Sequence, residues 1–358
     1  MNARFDIALD HLDRMTDSTG LIQHAVYSVP RRDSGYTTDD NARALRLCTR
    51  LWGHQPNDRM LGRVTTYLSF LEFARTLGGG FHNFMSYDRR WLDSEGCGDC
   101  QGQAVRALAE VLGSNLPADY RALAGELIES VLPTLANLRS LRAQAYIVLA
   151  WGHLSAEGVK NIEPLENVAW LAARRLLENL QHSRRSDWPW FESRMTYANA
   201  VLPHALFVAA RRWPGEPFLA AARESFDLLD DVTTDDDVFS PIGSNGWYSH
   251  REDKARHDQQ PVEAITMADA ALAAFDAVSD PRYLRVFRRA RQWFHGQNSS
   301  NQPLTIVSVG SCCDGLHPSG VNRNQGAEST LSFLSTELLH CEAGHLSADQ
   351  PTEAVAGR

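Results

Sequence analysis

Two kinds of helical segment alternate along this chain, and that alternation limits the folds open to it more than any other feature. One series carries a charged outer stripe. It covers about 3–15, 58–77, 118–137, 163–181, 216–230 and 280–295. In the second of these, Arg59, Arg63, Glu72 and Arg75 lie opposite Leu61, Val64, Leu68 and Leu71, which is the 3.6-residue period of a half-buried helix. The other series covers about 39–53, 100–113, 140–154, 196–212, 260–278 and 326–341. It is rich in alanine and poor in charge, so these helices are expected to be buried on most sides. Their small residues allow close packing of neighbouring helices.

Six polar-faced helices alternating with six buried ones predict an all-α chain, an (α/α)6 toroid with six inner and six outer helices. An α-solenoid would show a shorter and more regular repeat. No Pro-rich or Gly/Ser-rich linker divides the chain. Residues 1–346 are therefore expected to form a single toroid, with 347–358 a flexible tail. The length of 358 residues alone suggests about two domains, but the alternating helices occupy nearly all of it. The clearest strand-like stretch is 304–309.

The formal charge is −9, with no basic block, which argues against nucleic acid as a partner. No apolar run is long enough to span a membrane. The first fifteen residues are amphipathic and charged, unlike a signal peptide, so a cytoplasmic location is expected. Cys97 and Cys100 form a lone C-x-x-C without the second ligand pair that zinc needs. His250 and His257, with Asp253 or Asp258, match no metal-site spacing. No metal or cofactor is expected.

Polar and aromatic residues concentrate just before the inner helices. In a toroid these helix starts point to one end of the ring, so their loops converge on one cavity. The first cluster contains Tyr36, Asp39, Asp40 and Asn41. Two adjacent carboxylates exceed what a helix cap requires. The second brings His82, Tyr87, Asp99 and Gln103 among several glycines. The third carries no acid. The fourth holds Trp188, Trp190, Glu192, Arg194 and Asn199. Flat aromatic faces stack on sugar rings while carboxylates and amides bond hydroxyls. The fifth has Trp247, His250, Arg251, Gln259, Gln260 and Glu263, and the sixth Asn322, Gln325 and Glu328. Asp39 and Asp99 also suit a purely capping role. Trp188 and Trp190 also suit a hydrophobic plug.

Nucleotide-binding glycine loops and the nucleophile elbow of serine hydrolases are both missing. What remains is a polar and aromatic cavity with several carboxylates. Cleavage of a glycosidic bond requires such a set, with one carboxyl protonating the leaving oxygen and another acting as base or nucleophile.

Residues 11–45, from HLDRMTDSTG to TTDDNARAL, and the closing NRNQGAESTLSFL resemble a bacterial six-hairpin glycosidase-like family. Similar segments occur fused to group-1 type glycosyltransferases. The similarity runs from about Phe5 to Leu339. It implies an (α/α)6 fold and an inverting glycoside hydrolase. The substrate would be an oligosaccharide or polysaccharide, with a glycosyltransferase as a possible partner. In endoglucanases of this fold, an Asp-Ala-Gly-Asp-Asn motif supplies the base and a glutamate on the last inner helix the acid. Thr38-Asp39-Asp40-Asn41 and Glu328 are similarly placed, without the Ala-Gly spacer. The expectation is Asp40 as base and Glu328 as acid, with Asp99, Glu192 and Glu263 in reserve. The alternatives are a sugar epimerase using His82 and His250, a phosphorylase using Arg251 or Arg323, and a non-catalytic sugar-binding module.

Overall fold

The computed structural model describes residues 6–348. Among these residues, twelve α-helices form two concentric layers. The inner helices are α2 (Thr38–His54), α4 (Gly98–Gly113), α6 (Leu141–Ala156), α8 (Val201–Arg212), α10 (Pro261–Val278) and α12 (Ala327–Ala348). The outer helices are α1 (Asp10–Met15), α3 (Asp58–Phe73), α5 (Ala118–Asn137), α7 (Glu163–Ser183), α9 (Phe218–Val232) and α11 (Pro281–Phe294). Each inner helix packs on the next in chain order, and α12 packs back on α2. This closes the ring, an (α/α)6 toroid. Outer helices α3, α5, α7, α9 and α11 cover the inner helices that precede them, and α1 covers α12.

Local chemistry explains the helix starts. The Thr37 hydroxyl accepts the Asp40 N–H at α2, and Asn57, Ser140 and Asp280 cap α3, α6 and α11 likewise. Each such cap contributes about 1 kcal/mol. Pro261 and Pro281 occupy first-turn positions, where no N–H is needed. The charged stripes read from the sequence face outward, and one buried apolar cluster joins both layers.

Inner helices lead to outer ones through short links such as 55–57 and 279–280. The return from outer to inner is mostly long, as at 74–97, 184–200, 233–260 and 295–326. All six inner helices therefore begin at the end of the ring that carries the long loops. Two-stranded antiparallel pairs stitch these loops together. They join 36–37 to 84–85, 194–195 to 248–249, and 315–317 to 320–322.

Four expectations shift. The first outer helix is short, Asp10–Met15 among the described residues, and not 3–15. Residues 196–200 precede α8 rather than belong to it. Asn199 bonds back to Thr196 through both ends of its amide, and Ala198 takes a positive φ of 45°, which a continuing helix forbids. The stretch at 304–309 supplies only a two-residue strand, Thr305–Ile306, followed by a 3-10 turn at Val307–Val309. Finally, α12 continues to Ala348, so residues 347 and 348 are helical, and the rest of the expected tail lies outside the described residues. No helix is long and apolar enough to cross a membrane among the described residues.

Candidate active site

The first two turns of α2 present Asp39, Asp40 and Arg43 to the long-loop end of the ring. Ring closure brings α12 alongside, and with it Glu328 in the first turn of that helix. The Arg43 guanidinium joins all three acids. One terminal nitrogen lies 3.2 Å from Asp39 Oδ2 and 3.2 Å from Glu328 Oε2, and the other lies 3.2 Å from Asp40 Oδ1. The three carboxyls differ in access. The Asp40 side chain is 6% exposed, against 27% for Asp39 and 38% for Glu328. Asp40 also takes a 2.8 Å hydrogen bond from the Thr37 hydroxyl. It is walled in, while Asp39 and Glu328 open to the cavity.

Three carboxylates on one cation leave excess negative charge if all are ionised. Burial raises Asp39 above the ordinary carboxylate range against the pull of Arg43, and Glu328 and Asp99 add repulsion. Burial likewise raises Asp40 to about 7 against Arg43, with Asp39 and Glu328 again adding repulsion. The cluster thus holds a proton near neutral pH.

Two chambers meet over this cluster. One, of about 430 Å³, is walled by Asp40, Asp258, His317, His24 and Asn322. The other, of about 220 Å³, is walled by Asp99, Gln103, Tyr146, Tyr197 and Trp247. Asp39, Arg43, Gln260 and Glu328 border both, so the chambers form one cleft across the inner-helix starts. In the smaller chamber, Asp99 accepts hydrogen bonds of 2.6 Å from both Ser140 and Tyr197 hydroxyls. The Tyr197 ring packs on the Arg142 guanidinium, 4.4 Å from its centroid, and faces Trp247. In the larger chamber, His317 Nδ1 lies 2.5 Å from Asp258 Oδ1.

Several expected site residues serve the framework instead. Glu263 is buried, with its carboxyl accepting from the Ala198 and Asn199 N–H groups and the Asn199 amide. It pins the bend before α8 and borders neither chamber. Burial raises it to about 7, in opposition to those hydrogen bonds. Glu192 pairs with Arg142 at 3.2 Å, away from the cleft. Trp188 and Trp190 are buried, and the Trp188 indole N–H is satisfied by the Glu192 carbonyl. The aromatics of this sector that line the cleft are Tyr197 and Trp247.

His82 stacks on Trp91 and bonds the Asp93 carbonyl. His250 sits against Trp188 beside Asp187. Neither borders the cleft, so the epimerase pair expected from them does not assemble. Tyr36 bonds Asp17 and stacks on the exposed Tyr87. Asn41 ties the Leu21 N–H to the Thr37 carbonyl. Arg194 bonds Ser249 and Arg251 pairs with Asp187, both exposed and outside the cleft. Gln259 is at the larger chamber, but its amide bonds inward to Arg256 and Trp293. Gln325 is buried, with its carbonyl on His11.

Arg43, His317 and Tyr197 line the cleft without having been expected there from the sequence, and Asp258, weighed from the sequence only as a metal ligand, joins them. Arg43 was legible as the i+3 and i+4 partner of the two aspartates. The His317–Asp258 contact spans distant loops and left no local signal.

The backbone superposes on several solved structures along most of its length. Cellobiose 2-epimerase from Bacillus thermoamylovorans aligns with a TM-score of 0.72 at 12% identity, covering 94% of this chain and 96% of that one. A D-mannose isomerase gives 0.71 at 13% identity, with 94% and 96% covered. A GH76 alpha-mannanase of Bacteroides thetaiotaomicron gives 0.67 at 10% identity, with 94% of each chain covered. The fold is shared. No family profile matches the sequence, and no curated protein matches it.

Proposed function

We propose that this chain is a glycoside hydrolase that binds an oligosaccharide or polysaccharide across the cleft. The observation that carries this reading is the meeting of Asp39 and Glu328 on Arg43 at the junction of the two chambers. One carboxyl of the cluster is held protonated and another is open to substrate, the division of labour that glycosidic cleavage needs. Tyr197 and Trp247 offer ring faces for a sugar. The resemblance to glycosyltransferase-fused toroids supports a carbohydrate substrate and a glycosyltransferase as partner.

The pairing differs from the one expected. Asp40 is enclosed, so Asp39 takes the role of proton donor. Its Oδ2 and Glu328 Oε2 each lie 3.2 Å from one nitrogen, so they are at most twice that apart. That bound takes in the roughly 5–5.5 Å separation of the retaining arrangement, which this reading adopts in place of the inverting one. Glu328 then attacks the anomeric carbon as the leaving oxygen takes the proton of Asp39. Asp39 next deprotonates the water that releases the sugar from Glu328. Glu328→Gln and Asp39→Asn should each lower turnover of an authentic oligosaccharide by roughly 10²–10⁴-fold. NMR of the first-formed product should show retained anomeric configuration. Turnover unchanged in both variants rules the assignment out.

A second reading rests on His317. With Asp258 against one ring nitrogen, the other is available as a base, and His24 stands on the same chamber wall. This supports an epimerase or isomerase working through a histidine pair other than His82 and His250. A product of unchanged chain length with one inverted carbon, lost in His317→Ala, would select it.

A further inference from the structure

A further cavity, of about 970 Å³, opens at the other end of the ring, among the C-terminal turns of the inner helices. Its inner wall carries Arg46 and Arg50 from α2, Arg106 from α4 and His204 from α8. It lies one helical turn beyond the cleft, since Arg43 and Arg46 are three residues apart on α2. We propose that it is a binding site for an oxyanion of the phosphate type, free or as the phosphoryl group of a small molecule.

The hydrogen-bond inventory of the wall supports this. Arg212 Nε and the Thr49 hydroxyl are buried without a hydrogen-bond partner, while Arg46 Nε and His153 Nε2 reach only the Glu110 oxygens, at ion-pair distances of 3.5 and 3.6 Å. Each is a donor or can become one. Thr49 is 2% exposed and His204 8%, so both are deeply set polar groups, and the His204 ring makes no hydrogen bond among the described residues. The buried acids of the wall face cations, and the exposed Asp276 at its edge pairs with Arg211. Asp269 accepts from Arg106 at 3.2 Å, Glu342 pairs with Arg50, and Glu110 lies between Arg46 at 3.5 Å and His153 at 3.6 Å. Arg212 has no carboxylate partner among the described residues. The unmet capacity is thus on the donor side, and an acceptor-rich anion satisfies it. Burial, with Arg106 and Arg50 close by, lowers Arg46 to about 10. An anion between these guanidiniums relieves that repulsion.

The test is thermal unfolding of the full chain in rising inorganic phosphate, with chloride holding ionic strength constant. A saturable rise in Tm is expected, and a hexose phosphate should reproduce it where the free hexose does not. Arg46→Gln should weaken the phosphate response by about tenfold or more, as expected for losing a charge-assisted contact. Arg212→Gln, at the less buried rim, should weaken it too and serves if the first variant does not fold. Arg43→Gln should leave it in place. A crystal grown in phosphate should place the anion within hydrogen-bond distance of Arg46 and Arg106. No Tm response beyond that of chloride overturns the proposal. So does an anion found only at Arg43 in the cleft.

Discussion

Arg43 organises the candidate site because it is one cation shared by three acids. Its loss would strand buried negative charge, whereas neutralising one acid would relieve it. The raised value of Asp40, about 7 against an ordinary 3.8, has a definite sign. The folded chain keeps a proton that the unfolded chain gives up above pH 4. Stability should therefore fall as pH rises from about 4 to about 7, then level off. Urea unfolding at pH 5 and pH 8 should reveal a loss on the order of 2–4 kcal/mol from this group. Asp40→Asn should remove most of it. The assigned donor is Asp39, which burial also raises above the ordinary carboxylate range, so the rate should decline as rising pH strips that proton. A rate that keeps rising to pH 9 would contradict the assignment of a proton donor within this cluster. The paired aspartates were visible in the sequence as an excess over capping need. Their order of importance was not, because the choice between Asp39 and Asp40 depends on which side of the helix faces the bore. Trp188 and Trp190 show the converse. Their abundance marks a special loop, but composition does not say whether a ring turns to solvent or core, and here the core wins because the Trp188 N–H finds an internal acceptor.

The inner helices meet closely because glycine and alanine line their contacts. A Cβ on Gly152 of α6 would come within 2.3 Å of a Val208 methyl on α8, and one on Gly102 of α4 within 2.9 Å of Tyr146 Cβ. Gly152→Ala should therefore overpack the α6–α8 seam, at a cost of about 1–3 kcal/mol measurable as a lower urea midpoint. A neutral or stabilising result would mean that Val208 can rotate away. Helical periodicity made these elements and their buried faces legible, with ends displaced by a few residues. The start of α8 moved because Glu263, from a helix further along the chain, captures the N–H groups of Ala198 and Asn199. No local pattern announces a partner so distant.

At the scale of the whole molecule, the ring is closed by one contact between its first and last inner helices. That contact carries Glu328 to Arg43. Removing α12, by ending the chain after Gly326, should leave apolar faces of α2 and α10 uncovered. The expected outcome is loss of the cooperative thermal transition followed by circular dichroism. A sharp transition in the shortened chain would show that the remaining helices form a stable arc.

The sequence by itself determined the helices, their alternation between a charged-faced and a buried class, and the loop end where chemistry gathers. These depend on periodicity, caps and small residues, all of them local. Tertiary structure alone decided which of the gathered residues share a cavity. It set Arg43 against Glu328 and Asp258 against His317, withdrew Glu263, Trp188 and Trp190 into the framework, and opened a second cavity at the far end. Such pairings depend on ring closure and on the direction each loop side chain takes once its own hydrogen bonds are met, and neither is encoded in neighbouring residues.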